Sequence, residues 1–178
     1  MEYRYYEIPA GSPVLALLGD KWVQNYGRDI DYLHFHNHLE VGFCYYGEGT
    51  VTFKEDIPFD GNMFTVIPKN FPHTTTSAGD SVSYWEWLFI DADKFLREVY
   101  KDNPRMAQKV LDRVNRRAHF VRVQDKPQIG ALVQQIIGCM RERKEFYLEE
   151  VKGLTLALLL QVARWNREEA ERQNSRRE

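Results

Sequence analysis

Up to about residue 90 the chain is written in short β-branched and aromatic runs, each cut off by a turn cluster. The runs are Val14 to Leu18, Glu40 to Tyr46, Thr50 to Phe53, Met63 to Ile67 and Val82 to Ile90. Between them stand Gly47-Glu48-Gly49, Asp60-Gly61-Asn62 and Pro68-Lys69-Asn70-Phe71-Pro72. Runs this short read as strands, and the glycine, asparagine and proline breaks supply the backbone angles that turns require. Regular punctuation of this kind predicts an antiparallel barrel or sandwich.

The pattern changes at Asp91. Asp91-Ala92-Asp93 offers helix N-caps, and Lys94 to Tyr100 then carries apolar residues at helical spacing. A second helix is expected from about Pro104 to Arg116, and His119 to Val123 reads as a short strand or a link. Ile129, Leu132, Val133, Ile136, Ile137 and Met140 mark one face of a longer helix, with Asp125 as its cap and Pro127 in its first turn. In the last helix Val151, Leu154, Leu158, Val162 and Trp165 make one stripe, and Leu156, Leu159, Leu160 and Ala163 make another. A helix apolar on two sides must be covered on two sides, so a homodimer through the C-terminal helices is expected. Arg164 to Glu178 is dense in mixed charge and reads as a helix running into a linker. The predicted fold class is α+β: a barrel over 1–91 and a helical segment over 92–178 ending in a hairpin, together one compact unit.

The chemistry gathers in two segments. Residues 34 to 47 contain His34-x-His36, three residues, Glu40, six residues and Gly47. Alternate residues of a strand share a face, so His34 and His36 project together. Asn37-His38 can turn the chain and bring Glu40 back on a neighbouring strand, and the segment Gly61-x6-Pro68-x-Asn70-x2-His73 can deliver His73 to the same cavity. Three imidazoles and a carboxylate suit a divalent first-row ion such as zinc, nickel, iron or manganese. The same four residues would also serve as hydrogen-bonding groups toward a polar effector, or as a purely structural network.

These two segments resemble the two motifs of the cupin superfamily, which folds as a small double-stranded β-barrel. The first matches at every defining position. The second departs from the usual pattern: six residues separate Gly61 from Pro68, Asn70 stands where glycine is usual, and the closing asparagine is absent. Those departures resemble the effector-sensing domains of AraC-type transcription regulators, whose H-x-H-x3-E, G-E-G-x-V and G-x6-P-x-N-x-P-H patterns are similar to what this chain carries. The resemblance implies a ligand-sensing and dimerisation domain that takes a small, sugar-like polar effector in its barrel. It implies contact with DNA only through a helix-turn-helix domain that would follow Glu178. The other function that fits the motifs is a small metal-dependent cupin enzyme, an isomerase or dioxygenase.

The run Tyr84-Trp85-Glu86-Trp87-Leu88-Phe89 adds a candidate pocket wall. Alternation puts Trp85, Trp87 and Phe89 on one face and Glu86 on the other. Sugar sensors of the resembling branch carry a pocket-facing tryptophan there, so the tryptophan face is expected inward and Glu86 outward, near the helices. The candidate effector set is His34, His36, Glu40, Tyr46, His73, Trp85 and Trp87, with His34, His36, Glu40 and His73 as the candidate metal ligands. Tyr3-Arg4-Tyr5-Tyr6, ahead of the barrel, reads as a mobile arm closing over ligand or as an edge strand. The 24 Lys and Arg are balanced by 26 Asp and Glu, which leaves no basic footprint for nucleic acid. No apolar run is long enough to span a membrane, no signal peptide opens the chain, and Cys44 and Cys139 read as free buried thiols. A cytoplasmic setting is expected.

Overall fold

A computed structural model describes residues 1–177. The strands are β1 (Glu2–Arg4), β2 (Leu15–Leu17), β3 (Val23–Gln24), β4 (His34–His36), β5 (Leu39–Tyr46), β6 (Gly49–Thr52), β7 (Asp56–Phe59), β8 (Met63–Ile67), β9 (Thr74–Ser77), β10 (Ser83–Ile90) and β11 (His119–Arg122). The helices are α1 (Ala92–Val99), α2 (Pro104–Val114), α3 (Pro127–Glu142) and α4 (Tyr147–Ser175).

The largest sheet runs β11-β8-β5-β10-β2, with β3 also paired to β10, and all its pairs are antiparallel. A three-stranded antiparallel sheet has the order β7-β6-β9. From β5 to β10 the chain passes back and forth between these two sheets. That alternation is the winding of a jelly-roll barrel, and helices follow it.

Both faces of the large sheet are buried, which explains why β5 and β10 read as nearly continuous apolar runs. Val41, Phe43, Phe64, Val66, Leu88 and Ile90 point outward and join Leu96, Val110, Val133, Ile136, Leu158 and Val162 of the helices in one core. Cys44, Met63, Trp85, Trp87 and Phe89 point inward, where they meet Val51 and Phe59 of the small sheet. Burial pushes the Cys44 thiol up to about 12, so it packs as a small apolar group.

Asp91 caps α1 by accepting a hydrogen bond from the Lys94 N–H at 3.1 Å, and Asn103 does the same for α2 through Met106 N–H. The expected cap on α3 is different. Asp125 lies in a single 3-10 turn (Val123–Asp125), Lys126 takes the cap position without a side-chain bond, and Pro127 opens the helix. In α4, Leu159 and Ala163 of the second stripe are covered by the protein's own core, whereas Leu156 and Leu160 are only partly covered. No described helix is long and apolar enough to cross a membrane.

Candidate functional site

His34 and His36 lie on β4, Glu40 on β5 and His73 just ahead of β9. They do not meet as a hairpin. β4 pairs in parallel with the N-terminal β1, and His34 exchanges backbone hydrogen bonds with His73 at 2.9 Å each way. Glu40 enters from the large sheet, so Asn37-His38 carries the chain from one wall of the barrel to another. Asn70 has φ 61°, and its N–H donates to the His36 carbonyl at 2.8 Å. Asparagine tolerates this left-handed conformation better than most residues with a side chain.

The four side chains converge. Each offers a ligand atom, and these atoms all lie within 4.8 Å of one another. Every one of the four residues is at least nine-tenths buried. His36 Nε2 is 2.7 Å and His73 Nε2 3.4 Å from the same oxygen of Glu40. Yet among the described residues neither of those nitrogens, nor His34 Nδ1, has an aligned hydrogen-bond partner. Nitrogens close to a carboxylate but not aimed along a hydrogen bond are disposed toward a shared point rather than toward each other. His73 Nδ1 lies 2.7 Å from the Phe71 carbonyl, to which it donates, and this leaves the Nε2 lone pair facing the cluster.

The electrostatics agree with a receptive site. Burial, with help from the nearby His73, lowers His34 to about 3, so its ring is neutral and its lone pair free at neutral pH. Burial pushes the Glu40 carboxyl up, but His73 and His36 beside it outweigh that and hold it below the usual carboxylate range. A neutral His34 imidazole and an ionised Glu40 carboxylate are forms that ligate a divalent ion. The orphaned buried nitrogens and this donor set therefore fit such an ion. When bound, it would supply a Lewis-acidic anchor for a ligand oxygen.

A cavity of about 270 Å³ opens over the cluster. His34, Glu40 and His73 form its floor, and Trp87, Phe89 and Tyr26 stand at its walls. Trp87 faces inward because Gly42 lies directly opposite on β5, where any Cβ would come within 2.5 Å of the indole. Trp85 is also inward and fully buried, stacked on Trp87 at 4.9 Å, but it packs with Phe59 and Phe120 below the cavity and does not line it. Tyr46 departs from the expected set. It is half exposed and leans on Tyr84 outside the barrel, because it lies at the end of β5, past the point where the strand covers the cavity.

Further residues complete the cavity, two of them from the N-terminal arm. Tyr6 stacks on Phe89 at 3.9 Å, and Asn37 fixes its backbone through hydrogen bonds of 2.9 Å to both its N–H and its carbonyl. The N-terminal segment is thus both an edge strand, in β1, and a cover over the cavity, at Tyr6. Arg4, Trp22 and Arg28 also line it. Arg4 ends β1, Trp22 ends a 3-10 turn and Arg28 lies in a loop, and they share no spacing. The arm covered Arg4 and Tyr6, strand alternation covered Phe89, and nothing local marked Trp22 or Arg28.

No protein-family model and no curated protein sequence matches the chain. Solved structures do. An apo variant of ToxT from Vibrio cholerae superposes with a TM-score of 0.55 at 14% identity, covering 88% of this chain and 58% of that one. A cupin protein from Bacteroides fragilis gives a TM-score of 0.33 at 18% identity over 43% of this chain and 61% of its own. An oxalate decarboxylase variant from Bacillus subtilis gives 0.30 at 20% identity over 34% and 17%. The chain spans less than two thirds of each of these proteins. The ToxT likeness extends over most of the chain, so the fold shared with it includes helices as well as barrel.

Proposed function

We propose that this chain is the effector-sensing domain of an AraC-type transcription regulator, with the barrel cavity as its ligand pocket. The observation that carries this reading is the buried cluster of His34, His36, Glu40 and His73, with imidazole nitrogens of all three histidines left without hydrogen-bond partners, beneath a cavity walled by Trp87 and Phe89. A structural network would have satisfied those atoms. The AraC-like form of the second motif and the fold shared with ToxT, an AraC-family regulator, support the sensor over a stand-alone enzyme. In this reading the ligand is small and polar, in the manner of a sugar, with Trp87 presenting a flat apolar face to its carbon skeleton.

A route to the helices exists on the same strand. Trp87 faces the pocket, and the preceding residue, Glu86, faces outward, where it is bound by Arg141 of α3, the Tyr45 hydroxyl and the Gly19 N–H. A ligand that displaces Trp87 would therefore bear on the end of α3, next to α4. It can shift that arrangement only by binding two arrangements unequally. In the proposed regulator, the partly covered Leu156 and Leu160 of α4 would pack against a second subunit, and DNA would be held by a separate domain.

A thermal-shift screen of sugars, small acids and divalent metals tests the proposal. A stabilising compound whose effect disappears in Trp87→Ala, and which is recovered unchanged by NMR after incubation, is expected. Conversion of that compound to product would favour the metal-dependent enzyme. Stabilisation that persists in Trp87→Ala would place the ligand elsewhere.

A further inference from the structure

We propose that the natural ligand carries a carboxylate: an acidic sugar or hydroxy acid, not a neutral sugar. This rests on the reading of the barrel cavity as the ligand pocket, and it comes from the charge and the donor balance of the cavity wall.

The cavity is lined by two arginines and a single acid. That acid, Glu40, is at the floor, with His36 and His73 close beside it. Arg4 pairs with Glu2, which lies outside the lining, at 3.1 Å. Arg28 forms neither an ion pair nor a side-chain hydrogen bond with any described residue, although its loop is firmly set. Gly27 has φ 72°, and a Cβ there would meet the Thr75 carbonyl oxygen at 2.9 Å, so only glycine lets the loop lie this close to β9. The Ile30 N–H closes the turn on the Gly27 carbonyl. Arg28 is therefore held at the exposed mouth of the cavity by its backbone, with its guanidinium uncommitted.

Neighbouring polar groups point the same way. Trp22 Nε1 is a buried donor with no partner among the described residues, and Trp22 lines the cavity. The Tyr26 hydroxyl is spent on the Trp22 carbonyl at 2.6 Å, and the Asn25 amide donates to the Gly79 and Ser81 carbonyls. The charged group left without a partner on this wall is the Arg28 guanidinium, beside the neutral amides and hydroxyls of Gln24, Asn25, Thr74 and Thr75. A neutral sugar can bond the amides and hydroxyls but leaves that charge unmatched. A carboxylate only accepts, and an arginine fork matches its two oxygens. Arg4 is balanced by Glu2, so the unbalanced positive charge at the cavity is that of Arg28 at its rim. The hydroxyl end of the same ligand would then reach the His/Glu floor, with Trp87 and Phe89 along its carbons.

The test is a thermal-shift and calorimetric comparison of matched pairs: glucose and glucuronate, galactose and galacturonate, glycerol and glycerate, benzyl alcohol and benzoate. Each is measured with and without zinc, on the wild-type chain and on Arg28→Gln and Arg4→Gln, which leave the floor intact. The expected result is that at least one acid raises the midpoint while its neutral partner does not. Its affinity should fall about tenfold or more in Arg28→Gln, the loss expected when a charge-assisted bond is removed. The inference is overturned if neutral members bind as well as acids, or if the arginine variants bind the acid unchanged. It is also overturned if no acid binds while zinc still titrates the His/Glu floor, a result that leaves the pocket reading standing. Failure of acids, neutral compounds and zinc alike would remove the pocket reading together with this one.

Discussion

Two carboxylates are buried on adjacent strands of the large sheet, Glu40 on β5 facing inward and Glu86 on β10 facing outward, and they are finished in opposite ways. Glu86 receives Arg141, the Tyr45 hydroxyl at 2.6 Å and the Gly19 N–H at 2.8 Å. Burial alone would push its carboxyl up, but these donors hold it below its ordinary range. Glu40 has only imidazoles, close but not aligned. The first is a closed joint between barrel and helices. The second is an open site that a ligand would complete. Burial of charge by itself does not separate structure from function; the completeness of its hydrogen bonding does.

The contrast predicts unequal costs. Glu86→Ala should lower stability by about 3–4 kcal/mol, since it strands Arg141, Tyr45 and Gly19 at a buried seam. Glu40→Gln should change stability by no more than about 1 kcal/mol, because a site held open for a ligand contributes little to the apo fold. Urea denaturation of the two variants checks this, and equal losses would dissolve the distinction.

A further joint should show in the pH dependence. Burial, only partly offset by the hydrogen bond to Asn166, lowers His119 to about 4. Its unfolded value is near 6.5, so the unfolded chain takes up the proton first as pH falls. Stability from this group is thus complete above about pH 6.5 and lost progressively toward pH 4, by about 3 kcal/mol in all. His119→Gln should flatten that part of the curve when midpoints are followed from pH 7 to 4.

Smaller effects lie at the seams of the two regions. Gly42→Val should cost about 1–3 kcal/mol by overpacking against Trp87, and tryptophan fluorescence should report the displaced indole. Asp91→Ala removes the α1 cap where barrel passes to helix and should cost about 1 kcal/mol, with ligand binding unchanged. Loss of binding in that variant would mean that the helices shape the pocket directly.

The parts of the molecule legible in the sequence are those encoded locally. Period-two alternation separated Trp87 from Glu86, and the His34, His36, Glu40 and His73 spacing marked the floor, because both depend on residues a few positions apart. Strands β7 and β9 were hidden: Pro58 sits on the outer strand of the small sheet, where a missing N–H is tolerated, and Thr74–Ser77 lacks an apolar pattern. The pairing of β4 with β1 is long-range, so the turn at Asn37-His38 was read as a hairpin. Arg4 belongs to the arm expected over the ligand, but Trp22 and Arg28 come from other segments, and no local pattern announces them. Tyr46 failed for a related reason: strand membership fixed its face but not how far along the strand the cavity extends.

The most direct test of the account is calorimetric titration of zinc into wild type, Glu40→Gln and Glu86→Gln. The account predicts one site per chain in wild type, the same site retained in Glu86→Gln, and its loss in Glu40→Gln. Absence of binding in wild type, or equal binding in all three, would contradict the claim that His34, His36, Glu40 and His73 form an open site.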